Sequence, residues 1–450
     1  MKVIIIGCNH SGTAAVRTIL NKYNDVKVSV YEMNDNVSFL SCGIALYVGG
    51  VVKDRKGLFY SSSEELSNLG ANVKLKHQVL KVDTDKKEIL VKNLENNQEF
   101  VDFFDKLIVS VGSWPIIPRI KGIDSKNVLL SKNLEHANHI IEYSKKVNKI
   151  TIVGAGYIGV ELAEAFSKQK KEVTLIDIED RIMPKYLDKE FTLLAEDSLR
   201  EHNVKLALKE KVIEFKTNND NLVTQVQTDK GLHETEMVIT CISFRPNTDL
   251  FKGILDLEPR NNALKVNEYL QTSHPDIYGC GDCINIYYTP NQQKDVYIPL
   301  ATNAVRTGTI VGLNIKKNIT KYSGTQGTSC IQINDLSISS TGLNEHAANL
   351  LGIEVDSVII KDANRPEFMP QYDSVLLKVV FEKKTGLILG GQILSTTDLT
   401  EKMNTLSVLI ENKTTIDMLA FKDFSFHPYF SKPWSLLNLA GIKYLESKNI

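Results

Sequence analysis

Two short β-branched runs stand out in the hydrophobic pattern, each running into glycine and then into a segment of helical period. Residues 2–6, KVIII, form a nearly continuous apolar run. A β-branched run that short, bounded by a turn, predicts a strand. TAAVRTILNKY follows the turn with apolar residues three and four apart, and predicts an amphipathic helix. A second strand, VKVSVYE, ends at Glu32. The order returns further along: KITIV, a glycine turn, helix-like VELAEAFSKQ, then EVTLID ending at Asp177. Strand, helix, strand in this order predicts a βαβ unit and a parallel sheet. The two units stand too far apart to be halves of one sheet, so two separate domains are expected.

After about residue 324 the pattern changes. TSCIQINDLSISSTG, VDSVIIKD, SVLLKVVF and LILGGQIL read as strands, with helix-like NEHAANLLG, TEKMNTLSVLIENK and TIDMLAF between or after them. This mixture predicts an antiparallel sheet with helices on one side. The expected fold class is α/β: two Rossmann-like dinucleotide-binding domains plus a C-terminal α+β domain. The expected boundaries are 1–118 with 246–324 for the first domain, 119–245 for the second and 325–450 for the third.

The turns bring in the chemistry. Gly7-Cys8-Asn9-His10-Ser11-Gly12 joins the first strand to its helix, and Gly154-Ala155-Gly156-Tyr157-Ile158-Gly159 the second. Glycines allow a tight turn and close approach of a pyrophosphate to the backbone. The helix N-terminus offers it free N–H groups and a positive dipole end. Glu32 and Asp177 sit where a carboxylate accepts ribose hydroxyl protons. In the first copy Asn9 replaces the middle glycine. Asp177 favours the free 2′-hydroxyl of NADH, while Arg181 lies near enough to leave NADPH open. Two such turns imply two dinucleotides, one flavin and one nicotinamide, and hydride transfer between them. DKLIVSVGSWP and DIYGCGDC are further strands running into glycine turns, the second carrying Asp282. IPLATNAVRTGTIVGLNI then predicts a helix whose first amides face the flavin edge.

Charge and composition narrow the class. The 450 residues are 42% hydrophobic and 24% charged, with net charge −1, which gives no argument for a nucleic-acid or membrane partner. The apolar run Val3–Ile6 is too short for a secretory leader, and no stretch has the length of a membrane span. Six scattered cysteines are no disulfide framework and point to a reducing, cytoplasmic setting.

One thiol draws attention. SFLSCGIALYVGG carries Cys42 in an apolar stretch, with Tyr47 five residues on. Either Cys42 is a core thiol or it reacts alone. A lone thiolate can cycle through sulfenic acid without a sulfur partner, and a helix starting near Gly43 would lower its pKa. His10 is either its partner or a cap of the following helix. Cys280 and Cys283 have CxxC spacing, but no second pair completes a zinc site and no metal is expected. Cys8, Cys241 and Cys330 read as structural.

SFLSCG, the two glycine turns, the Gly-Asp of GCGDC and FRPNT together resemble the pyridine nucleotide–disulfide oxidoreductase superfamily, and within it the single-cysteine branch. That branch contains water-forming NADH oxidases, NADH peroxidases and coenzyme A-disulfide reductases. SFLSCGIALYVGG and GLFYSSSEELSNLGANV look most like the oxidases, whereas coenzyme A-disulfide reductases typically carry Asn where this chain has Ser41. Ser243 stands where the family often has Gly. The resemblance implies FAD bound by Gly7, Asn9, Gly12 and Glu32, with Asp282 at its ribityl region and Ala301 and Thr302 near its ring. It implies NADH bound by Gly154, Gly156, Gly159 and Asp177. Tyr157 would cover the flavin face, Glu161 would lie near the reacting rings, and Cys42 and His10 would be catalytic. It further implies O2 as the other substrate, water as product through a thiolate–sulfenate cycle, and a homodimer built on the third domain. In that domain FSFHPYFSKPWSLLNLAG is rich in aromatics suited to an interface or to local packing. His427 resembles the histidine that one subunit of a dithiol reductase supplies to the other.

Overall fold

In the computed structural model, which describes residues 1–291 and 293–448 and only the backbone of 293–295, the two apolar runs are the central strands of two parallel sheets. The first sheet is ordered Ile277–Gly279, Lys106–Val109, Lys2–Ile6, Lys27–Tyr31, Asn72–Lys74, and each neighbouring pair is parallel. The second is ordered Val204–Leu208, Glu172–Asp177, Lys149–Val153, Met237–Thr240, Val128–Leu130, again all parallel. Val3, Ile4 and Ile5 are completely buried, in one core with Ala15 and Ile19 of the first helix and with Val82, Ile89 and Val91 of the antiparallel strands His77–Asp83 and Glu88–Asn93.

The first sheet takes strands from both sides of the second in sequence. Lys106–Val109 pairs with Ile277–Gly279 across the whole intervening unit. This returns the Asp282 turn to the same sheet edge as the first glycine turn. The helix Ala301–Asn314 then packs along the helix His10–Lys22. Glycines make that approach possible: a Cβ on Gly308 would stand 2.2 Å from the Ser11 carbonyl oxygen.

The third unit is an antiparallel sheet ordered Ser329–Ile333, Leu336–Gly342, Ile388–Ser395, Ser374–Glu382, Val355–Ala363. Met403, Leu406 and Ile410 from one helix and Leu437 and Ala440 from another share its core. TIDMLAF is the exception among the predicted helices: only Asp417–Leu419 forms a 3-10 turn. The Asn438 amide donates to the carbonyls of Leu419, Ala420 and Lys422, which a continuing helix would have used itself. Gly441 packs against the same turn, where a Cβ would meet the Ala420 nitrogen at 2.2 Å.

One buried cation joins the second and third units. Lys378, fully buried, pairs with Asp188, Glu190 and Glu345 at 2.8–3.1 Å. Such a charge is tolerated inside a protein only when paired and hydrogen-bonded.

Candidate active site

The first glycine turn is packed tightly at both of its glycines, while Asn9 between them is exposed. Gly7 has φ +89°, and a Cβ there would lie 2.4 Å from the Ser110 carbonyl oxygen; one on Gly12 would lie 2.2 Å from the Gly7 carbonyl. Glu32, 4% exposed, accepts from Cys8 N–H at 2.7 Å and from the Asn34 backbone and side-chain amides. Burial pushes its pKa up, against the pull of those donors. Asn9 has a use of its own: its Oδ1 accepts the Phe39 N–H at 3.1 Å. It thereby ties the turn to the segment that leads into Cys42.

The second turn repeats this plan and leaves its middle open. Gly154 has φ +109° and sits against the Cys241 carbonyl, Gly159 sits against Gly154, and a Cβ on Gly156 would meet nothing within 4 Å. Asp177 Oδ2 accepts the Ala155 N–H and Oδ1 accepts the Glu179 N–H at 2.9 Å.

Cys42 occupies a 3-10 turn, Ser41–Gly43, ahead of a five-residue helix, Ile44–Val48. That helix packs on the helix Tyr157–Lys168 of the second unit: the Gln169 amide donates to the Val48 carbonyl, and Gly49 lies against Ala165. The Cys42 loop therefore bridges the two nucleotide units. Its thiol is unpaired and exposed, as all six cysteines are unpaired. Desolvation by the surrounding protein raises the thiol pKa, the charges of Glu161 and Asp282 raise it further, and Lys132 opposes them. The lowering expected from a helix N-terminus does not prevail, because the helix is short and the desolvation and acidic neighbours outweigh it.

Glu161 itself is pushed up to about 7, first by burial and then by Glu164. Asp282 accepts the Ser113 hydroxyl at 2.8 Å and faces Lys132 at 3.5 Å. Lys132 also donates to Ser113 and stands over the Phe244 ring at 4.4 Å. The same Asp282–Lys132 pair acts on His10, whose pKa is lowered mainly by burial. Cys42, His10, Glu161 and Asp282 thus share one electrostatic neighbourhood. His10 is not the helix cap: Asn9 is, and without a side-chain capping bond. The His10 Nδ1 is instead 3.1 Å from the Tyr60 hydroxyl. Ala301 and Thr302 begin their helix on Leu300, which has no side-chain cap, so their N–H groups remain free for an acceptor.

Tyr157 stands one turn before Glu161 on the same helix. Its hydroxyl is 2.8 Å from Ser329 Oγ and its ring packs edge-on to Tyr186 at 4.5 Å, which fastens it to the third unit. His427 is exposed beside Tyr429 and Phe430, away from any of these groups within one chain. Cys280 and Cys283 are buried, with both sulfurs facing the Val109 carbonyl and thiol pKa values pushed up by burial. Among the described residues no His, Cys, Asp and Glu gather as a metal site.

Sequence reasoning missed Lys132, Ser113 and Tyr60. Ser113 lies in the GSWP turn and Tyr60 in GLFYSSS, so both had a flag. Lys132 is in no motif and reaches the site only through the fold.

The first nucleotide fold, the second, the Cys42 loop packed between them and the antiparallel third sheet define the class, and the chain belongs to the pyridine nucleotide-disulphide oxidoreductase family, whose profile matches residues 1–308. The dimerisation domain of that family matches residues 329–436. Among relatives, an NADH oxidase of Enterococcus faecalis is 49% identical over 447 residues, 99% of this chain and 100% of that one. A solved structure titled water-forming NADH oxidase from Lactobacillus brevis bound to NADH superposes with a TM-score of 0.96 at 48% identity, covering 99% of this chain and 98% of the other. A coenzyme A polysulfide/persulfide reductase of Pyrococcus horikoshii is more distant, 31% identical over 97% of this chain and 96% of its own length.

Proposed function

We propose that this protein is an FAD-dependent NADH oxidase that reduces O2 to water through a Cys42 thiolate–sulfenate cycle. The observation that carries this reading is the unpaired Cys42 thiol, set within the charge field of Glu161, Asp282 and Lys132 and bonded to no second sulfur. The similarity to NADH oxidases at 48–49% identity supports it.

The first turn suits FAD. Gly7 and Gly12 leave the phosphate approach bare of side chains, and Glu32 is fixed by three donors to receive ribose hydroxyls. His10 Nε2 and Tyr297 Oη are buried with no partner among the described residues, and Asp282 acts on both. Orphaned polar atoms around one carboxylate suit a polar cofactor. FAD supplies two-electron acceptance from NADH and delivery to O2. Gly154, Gly156, Gly159 and Asp177 bind NADH, and the helix N-terminus behind the bare Gly156 offers its N–H groups to the pyrophosphate.

This chain's residues then finish the reduction. The Cys42 thiolate attacks one oxygen of peroxide; the O–O bond breaks and the other oxygen leaves as hydroxide, taking a proton to become water. The sulfur is left as sulfenic acid. A second NADH supplies the two electrons that return it to thiolate, and its oxygen departs as the second water. Glu161, titrating near neutrality, is the group suited to hold and release that proton. His10, kept neutral by burial, contributes a hydrogen bond. Lys132 sustains the thiolate.

A homodimer follows from the third unit, where Phe421, Phe426, Tyr429, Phe430 and Trp434 are exposed; rings of this kind belong at an interface. The six free thiols fit a reducing cytoplasm. The test is stoichiometry with purified holoenzyme. Two NADH consumed per O2 without peroxide is expected; one NADH per O2 with equal peroxide overturns the reading.

A further inference from the structure

Tyr60 belongs to a segment that runs alongside the approach to Cys42. Leu40 N–H donates to the Leu58 carbonyl at 2.8 Å, and Phe39 bridges to Phe59. Ser38 and Ser61 exchange two hydrogen bonds at 2.6 and 2.9 Å. From the other side Arg17 donates to the Tyr60 carbonyl at 3.3 Å. The Tyr60 backbone is therefore fixed both to the Cys42 loop and to the helix that begins at His10. Its ring lies nearly parallel to the imidazole, 5.5 Å between centroids and 6° between planes. Its hydroxyl meets Nδ1 at 3.1 Å.

The other imidazole nitrogen is in a different position. His10 Nε2 is buried and has no partner among the described residues. A neutral imidazole has one N–H and one acceptor nitrogen. Burial holds His10 neutral, so the partner at Nδ1 decides where the proton sits. A phenol is the better donor of the two, because its oxygen lone pair is delocalised into the ring. Nδ1 then accepts, and the proton is on Nε2.

We propose that Tyr60 is a positioning residue that holds His10 as its Nε2–H tautomer, so that this buried N–H is offered as a hydrogen-bond donor to the oxygen being reduced at Cys42. The role in oxygen chemistry rests on the oxidase reading; the tautomer does not. No net proton leaves the imidazole. With the opposite tautomer the site would present a lone pair to an electron-rich oxygen, and the hydrogen bond would be lost.

The experiment uses holoenzyme labelled with 15N-histidine, with long-range 1H–15N correlation of His10, assigned by His10→Gln. Wild type is expected to show unprotonated Nδ1 and protonated Nε2. Tyr60→Phe keeps the ring and removes the hydroxyl. It is expected to shift His10 toward the Nδ1–H form and to slow peroxide reduction about fivefold to tenfold. In a His10→Gln background the same change should cost less than about twofold, since its effect runs through the imidazole. A protonated Nδ1 in wild type overturns the proposal, even if Tyr60→Phe fails to fold. So does an unchanged tautomer in Tyr60→Phe, or equal losses in both backgrounds. Peroxide as the wild-type product would instead sink the oxidase reading and leave the tautomer result standing.

Discussion

The two glycine turns share a plan and differ at its centre. In both, a first glycine of positive φ is pressed against a carbonyl of the neighbouring strand, the third against the first, and an acid accepts the N–H after the first glycine. In the first turn the exposed Asn9 carries a side chain that ties the turn to Phe39, and Glu32 is buried with its donors. In the second, Gly156 faces open space and Asp177 is half-buried. The lesson is that one motif can serve retention or exchange, depending on what surrounds its middle residue. On the proposed function the turn tied through Asn9 to the Cys42 segment keeps FAD through every cycle, while the one with a bare glycine at its middle takes in NADH and lets NAD⁺ go.

The comparison breaks most visibly at Gly7. Gly7→Val forces a β-branched side chain into φ +89° and against Ser110. The purified variant is expected to retain less than about a tenth of its flavin, read from visible absorbance. NAD⁺ binding, by calorimetry, should persist through the untouched second turn. Gly156→Val comes next. The extended backbone there admits a side chain, and nothing in the protein meets its Cβ. Flavin content is expected to stay full while KM for NADH rises about tenfold or more, a loss of about 1.4 kcal/mol. Unchanged KM would remove NADH from the second turn.

The smallest effect concerns the charges around Cys42. Glu161 holds its proton below about 7 and loses it above. Ionisation removes the proton donor and adds a charge that raises the Cys42 pKa. Peroxide-reducing activity should therefore fall by a few-fold as pH rises through about 7. Glu161→Gln, neutral throughout, should lose that fall in stopped-flow assays and keep only the rise from Cys42 ionisation.

Much of the fold was legible because glycine turns, buried strands and acids at strand ends leave local marks. KVIII and KITIV announce parallel strands, and Gly7, Gly12, Gly154 and Gly159 prove to be positions where a Cβ would meet backbone. Cys42 could be singled out from the apolar stretch around it. What could not be read are contacts between distant segments. Lys132 meets Asp282 across 150 residues, and Tyr60 meets His10 across 50. The direction of the Cys42 pKa depends on Glu161 and Asp282, brought in by other elements, so a local argument from the helix start gave the wrong sign. TIDMLAF failed as a helix because Asn438, on another segment, takes its carbonyls.

The central claim is that a single sulfur completes the reduction of oxygen. Cys42→Ser removes that sulfur and leaves both glycine turns intact. The decisive measurement is hydrogen peroxide formed per NADH oxidised by flavin-loaded Cys42→Ser. The account predicts one peroxide for each NADH, with O2 uptake per NADH doubled over wild type. Water as the product of that variant, with no peroxide released, would contradict it.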